Sequence, residues 1–136
     1  MKRTVRSDIG EVTIRETGLV YAKAFPGAEI SLKEAKEYHS MVEYLTGGEP
    51  HVTVIDISGL KYISKESREF LAQNSNDWGK TVAVALIVNS FTARMVANFF
   101  LTVNKPDYPI KAFDDTLSAQ QWAKNEYYKF SIRVAS

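Results

Sequence analysis

His51–Ala72, HVTVIDISGLKYISKESREFLA, is the stretch on which the fold turns. HVTVIDI is apolar and β-branched, as a central strand covered on both faces should be. Ser58-Gly59 ends it. Ser64 then stands where an N-cap belongs, just ahead of a helical pattern of Glu66, Arg68, Phe70 and Leu71. A strand that hands a polar loop to a helix N-terminus builds an anion-friendly surface, because the first helical N–H groups lack partners. Function is therefore expected at this loop.

On the N-terminal side, GEVTIRE at 10–16 alternates, Gly18 turns the chain, and Leu19–Phe25 alternates again, so a hairpin is predicted. Pro26-Gly27 closes it. Ser31 with Glu34 forms a capping box for helix one. The apolar face of this helix is Leu32, Ala35, Tyr38, Met41, Val42 and Leu45, and Gly47-Gly48 ends it. On the C-terminal side, helix two runs from about Lys65 to Asn74, and TVAVALIV at 81–88 reads as a second strand buried on both faces. Ser90 begins helix three, with Phe91, Met95, Val96, Phe99 and Val103 expected on its apolar face. Pro106 and Pro109 punctuate a loop, and IKAF at 110–113 is a short last strand. Asp115 or Thr116 caps helix four, where Leu117, Ala119, Trp122 and Ala123 are expected to pack inward. The final residues fit either a helix or a frayed end. The order ββαβαβαβα implies an α/β fold with a mixed five-stranded sheet and about four helices, in one domain spanning 1–136. Val52–Ile57 should be central and parallel to Val82–Val88.

The 136 residues suffice for one good core, and the 45% apolar and 24% charged fractions are those of an ordinary globular protein. A net charge of +1 provides no general drive toward nucleic acid or acidic membranes. Without cysteine there is no disulfide, thiolate chemistry or Cys-ligated metal. MKRTVRSDIGEVTIRE has no apolar signal core, which fits a cytoplasmic protein. Val82–Val103 is apolar enough to suggest a membrane span, but Arg94 near its middle would cost about 2.5–3.5 kcal/mol on insertion scales. A strand followed by a helix explains it better.

Val54, Ile55, Asp56, Ile57, Ser58, Gly59, Leu60, Tyr62 and Ile63 resemble the signature of the STAS (SpoIIAA-like) domain, and AFDDTLSAQQWA is similar to that family's last strand and helix, with Phe113, Leu117, Ala119 and Trp122 at matching positions. SKESRE and NFFLTVNKPDYP resemble a small stand-alone bacterial subgroup. The likeness covers nearly the whole chain. It implies the SpoIIAA-like fold and a signalling role like that of anti-sigma factor antagonists: a non-enzymatic, regulatory protein-interaction module. Its partner would be an anti-sigma or kinase-like protein. In those antagonists the second serine of Asp-Ser-Ser-Gly is phosphorylated. Here Ser64, Lys65, Glu66 and Ser67 occupy the four places, so Glu66 replaces that serine. A carboxylate in a first turn is favourable and resembles a permanent phosphate with less charge. Simple partner switching therefore does not transfer. Ser64 and Ser67 remain as hydroxyls open to phosphorylation, and the bland alternative is a plain N-cap with an acidic first turn. The residues expected to meet a partner or carry regulation are Asp56, Ser58, Ser64, Lys65, Glu66, Ser67 and Arg68.

No catalytic constellation stands out. Gly-rich phosphate loop, HExxH and GxSxG patterns are absent, and no cofactor is implied. His39 and His51 have no partner motif, and Asp56 is expected to hydrogen-bond the turn that follows it. Phe99, Phe100 and Leu101 are consecutive and cannot all face one side of a helix. An exposed Phe99 or Phe100 beside Tyr108 would make an apolar interface for a partner or for a homodimer. The alternative function is a small carrier or sensor of an apolar or lipid ligand using these helix-three aromatics, since the STAS fold is similar to that of CRAL-TRIO lipid-binding domains; those are larger, and 136 residues are expected to leave little spare volume for a ligand cavity.

Overall fold

The strand expected at the centre, β5 (His51–Asp56), has a parallel neighbour on each side. β3 (Leu19–Ala24) pairs Leu19 with Val52 and Tyr21 with Val54; β7 (Thr81–Ile87) pairs Ala83 with Val52 and Leu86 with Ile55. This computed structural model describes residues 2–77 and 80–135, by backbone alone at 74–77. β2 (Gly10–Glu16) and β3 form the expected antiparallel hairpin through Gly18, whose φ is 82°. β1 (Arg3–Arg6) extends the hairpin and β8 (Ile110–Phe113) closes the far edge, so the main sheet is six-stranded in the order β1-β2-β3-β5-β7-β8. The α/β class, the mixed sheet and four helices are those expected from sequence. The additional strand, RTVR, is short, charged and exposed, the composition an edge tolerates and a pattern search passes over. β4 (Ala28–Ile30) and β6 (Leu60–Ile63) form a separate two-stranded parallel pair from residues read as loop.

The sheet order follows chain order. Parallel crossovers that all step the same way with the same hand leave their helices on one face. α1 (Leu32–Thr46) packs over Val12, Ile14, Val20 and Ala22, and α3 (Phe91–Asn98) over Val84, Leu86 and Val88. α2 (Lys65–Asp77) brings Leu71 to the same face. The other face, Leu19, Val52, Val54, Ala83, Ala85 and Ile87, is covered by α4 (Thr116–Ala135). Ala119 and Ala123 are fully buried there, and Trp122 and Tyr127 pack beside them.

The caps hold their expected places. Glu34 accepts from the Ser31 N–H at 2.9 Å and from its hydroxyl, and Gly47, with φ 64°, ends α1. Ser90 Oγ accepts from Ala93 N–H at 3.1 Å, and Asp115 Oδ1 from Ser118 N–H at 2.8 Å. α4 continues through the tail to Ala135.

Expected inward residues on three helices are corrected. In α3 the buried residues are Ala93, Val96 and Ala97, whereas Phe91 is 76% and Met95 50% exposed. Small residues let the helix lie close to the sheet and turn its large ones outward. In α4 Leu117 is 78% exposed, because it lies two residues from Ala119 and so points away from it. Leu32 is likewise exposed. The apolar stretch 82–103 is thus β7, α3 and the π-helical turn Phe99–Val103, and no helix among the described residues is long and apolar enough to cross a membrane.

Candidate functional site

At the end of β5, Asp56 Oδ1 accepts from Ser58 N–H at 2.9 Å, closing the turn as expected. Ser58 Oγ accepts from Asn89 N–H at 2.9 Å, which ties the ends of β5 and β7 together. A Cβ on Gly59 would stand 2.9 Å from Ala24 O and 3.0 Å from Pro26 Cα, so a side chain there would force apart the turns after β3 and β5. Ligand sites of open α/β sheets lie where strand order reverses. This order never reverses, so Asp56 and Ser58 close a turn rather than border a crevice.

Six residues further on, Ser64 caps α2 as expected, its Oγ accepting from Ser67 N–H at 3.2 Å. Ser67 is fully buried. Its hydroxyl donates to Ile30 O at 3.2 Å and lies 2.7 Å from Ser64 Oγ, and Ser64 N–H also reaches Ile30 O, at 2.9 Å. The two serines therefore pin the start of α2 to β4. Phosphorylation at Ser67, considered from sequence, has no access to that hydroxyl in the folded chain. Lys65 and Glu66 are exposed on the outer side of the same turn.

Arg68 links this turn to the next candidate element. Its Nη1 donates to Ile63 O at 3.1 Å and its Nε to Asn104 Oδ1 at 3.3 Å, and its guanidinium carbon stands 4.0 Å from the Phe99 ring centroid. Asn104 follows the π turn, where its N–H bonds Phe99 O at 2.7 Å. Phe91, Met95, Phe99 and Val103 recur every four residues and form one outward stripe, exposed by 76, 50, 36 and 70%.

Phe99, Phe100 and Tyr108, expected to form one patch, are divided. Phe99 belongs to the stripe, while Phe100 and Tyr108 pack against the core and line a cavity of about 140 Å³. The cavity lies between the sheet and α1–α3, bounded by Ala22, Thr53, Ile55 and Leu86 from strands and by Ala35, Tyr38, Met41 and Val96 from helices. Nothing in the sequence patterns marks it: its lining is contributed by separate elements, with the small residues Ala22, Ala24 and Ala35 among them.

Burial pushes the Tyr38 phenol well above the usual tyrosine range, and the nearby Tyr108 adds to the shift, so Tyr38 stays protonated. Burial lowers His51, which also lines the cavity; its Nδ1–H donates to Glu49 O at 3.0 Å, which partly offsets the shift. Burial also lowers His39, opposed by Glu43 at 3.8 Å. Among the described residues no three His, Asp or Glu side chains gather as metal ligands.

Comparisons with known proteins agree with this architecture. A family model described as "Domain of unknown function (DUF7793)" matches residues 12–127. An uncharacterized protein of the DUF3478 family from Shewanella loihica PV-4, with a SpoIIAA-like fold, is 22% identical, with a TM-score of 0.55 over 90% of this chain and 92% of that one. At that identity the likeness establishes the fold, which is SpoIIAA-like. No curated protein matches the chain.

Proposed function

The chain belongs to the DUF7793 family, and from that premise we propose that it is a non-enzymatic regulatory module that binds a protein partner in the cytoplasm. The observation that carries this reading is the stripe of Phe91, Met95, Phe99 and Val103, four large apolar side chains in register on one surface. Contiguous exposed apolar surface of this kind marks interaction sites on monomeric proteins. Arg68 of α2 stacks on Phe99 of the stripe, and Lys65 and Glu66 are exposed charges on the first turn of the same helix. An apolar centre with a charged rim is the anatomy of a protein interface. The resemblance to anti-sigma factor antagonists nominates an anti-sigma or kinase-like regulator as partner. Ser64 and Ser67 serve this surface by fixing α2, and Ser67 is not its switch. Asp56 and Ser58 hold the neighbouring turn.

The test compares wild type with Phe91→Glu/Met95→Glu and with Lys65→Glu. Both replaced apolar side chains are at least half exposed, so the melting temperature should hold while binding to the purified partner is lost. Sedimentation of the free protein tells a second copy from a different chain as the occupant: a dimer abolished by the double substitution identifies self-association. Variants that bind as wild type does would remove the stripe from the function. The alternative of ligand carriage by the helix-three aromatics as a set does not match their placement, since Phe99 faces outward while Phe100 and Tyr108 face the cavity.

A further inference from the structure

We propose that the cavity between the sheet and α1–α3 is a binding site for one small, uncharged, mainly apolar molecule with a single hydroxyl or carbonyl group directed at Tyr38. This goes beyond the surface reading and stands or falls separately from it. At about 140 Å³ the volume matches an apolar cavity of about 150 Å³ that accepts benzene, so the occupant is one ring or a short hydrocarbon chain.

Three features set the chemistry. The floor and roof, Ile55, Leu86, Val96 and Phe100 among them, are hydrocarbon and reward burial of an apolar body. Tyr38 on α1 and Tyr108 in the loop before β8 set two phenols in the wall of one cavity, near enough that Tyr108 adds to the upward shift that burial imposes on Tyr38. Tyr38 remains protonated and can both donate to and accept from a hydroxyl or carbonyl. The charge at the walls opposes an anion: Glu11 and Glu34 line the site against the lone Lys23, and the buried His51 is held toward its neutral form. A fatty-acid carboxylate or a phosphate headgroup would therefore enter without a buried counter-charge.

The site also fails the logic of a purely structural core. Ala22 and Ala35 both line it, and Ala35 is fully buried. Ala35 has no accessible surface and no room to grow, whereas a larger aliphatic side chain at Ala22, which keeps 8%, would project into the space. A binding site is the arrangement in which that space is useful.

The test is methyl-resolved NMR of the whole chain, titrated separately with toluene, p-cresol and benzoate. Toluene and p-cresol should each give saturable shifts at Ile55, Leu86 and Val96, with p-cresol about three- to tenfold tighter for its one hydrogen bond. That preference should vanish in Tyr38→Phe/Tyr108→Phe, while toluene affinity is kept. Benzoate should bind at least tenfold more weakly than p-cresol. Ala22→Leu, by filling the space, should abolish all three titrations. If that variant does not fold, the wild-type toluene titration decides alone, because absence of saturable shifts at those methyls overturns the proposal. Benzoate equal to p-cresol, a p-cresol preference that survives loss of both phenols, or a folded Ala22→Leu that binds as wild type does would each overturn it as well.

Discussion

Replacing Ser67 separates a structural serine from a regulatory one, and the outcome can be worked from four hydrogen bonds. Ser67→Ala removes the donation from its hydroxyl to Ile30 O and the acceptance by its Oγ from the Ser64 hydroxyl. Neither partner is orphaned: Ile30 O keeps Ser64 N–H at 2.9 Å, and Ser64 Oγ keeps the residue-67 N–H at 3.2 Å. The loss should therefore stay near the ordinary worth of two bonds, about 1–2 kcal/mol. For 136 residues, at about 2.1 cal/mol/K each, unfolding entropy is roughly 0.29 kcal/mol/K, so the melting temperature should fall by about 3–7 °C. Ser67→Asp is a different perturbation. It places a carboxylate at a position with no solvent exposure, beside a carbonyl that repels it. An uncompensated buried charge costs about 3–5 kcal/mol, so a drop beyond about 10 °C is expected. Thermal melts by circular dichroism, checked by urea unfolding at constant slope, measure both. Ser64→Ala should cost about 1 kcal/mol as a lost cap. The double alanine variant should cost less than the sum, because the two serines share a bond. If Ser67→Asp melts within about 3 °C of wild type, the buried-pin account of this turn is wrong and a phosphorylatable Ser67 returns.

Three further outcomes follow from the same structure. Gly18 has φ 82°, and a Cβ on it would lie 2.2 Å from the Tyr127 ring; Gly18→Ala should cost about 2 kcal/mol, and combining it with Tyr127→Ala should leave only about 1 kcal/mol of backbone strain in a double-mutant cycle. His39 and His51 are both held below the ordinary histidine value by burial, so the unfolded chain takes up protons first; stability should be full above about pH 6.5 and decline below it, with a smaller decline in His51→Asn, as read by urea midpoints at pH 7 and 5. Leu117→Ser should leave the melt unchanged, whereas Ala123→Leu should lower it by about 1–3 kcal/mol through overpacking of α4 on the sheet; equal effects from the two would refute the assigned face.

What the sequence disclosed divides along a physical line. β5 and β7 are legible because a strand covered on both faces must be apolar at every position, and HVTVID and TVAVALI are nearly so. The caps at Ser31, Ser64 and Ser90 are legible because capping is settled within four residues of chain. β1 is not, since an edge strand needs no apolar pattern. The inner face of α3 is misread because size stands in for burial in any periodicity argument. Here close approach of the helix favours Ala93 and Ala97 over Phe91 and Met95. Ser67 is the sharpest instance: its burial depends on a carbonyl 37 residues away at Ile30, and no local pattern encodes that. The cavity is beyond sequence for the same reason, being lined by residues contributed by separate elements.

The unbroken agreement between strand order and chain order has a consequence for how the molecule is assembled. No strand of the main sheet has to be inserted between two that are already paired. As synthesis proceeds, β1–β3 can close as a local meander, on the microsecond scale of hairpins. Each later strand then arrives at an edge formed by its predecessor, with its crossover helix covering the face just extended. The growing edge is always the newest strand, and the last, β8, is four residues long, which leaves little template for a foreign chain. Only the face that α4 covers stays bare until that helix has been made. Leu19, Val52, Val54, Ala85 and Ile87 make it the surface on which a nascent-chain chaperone would act.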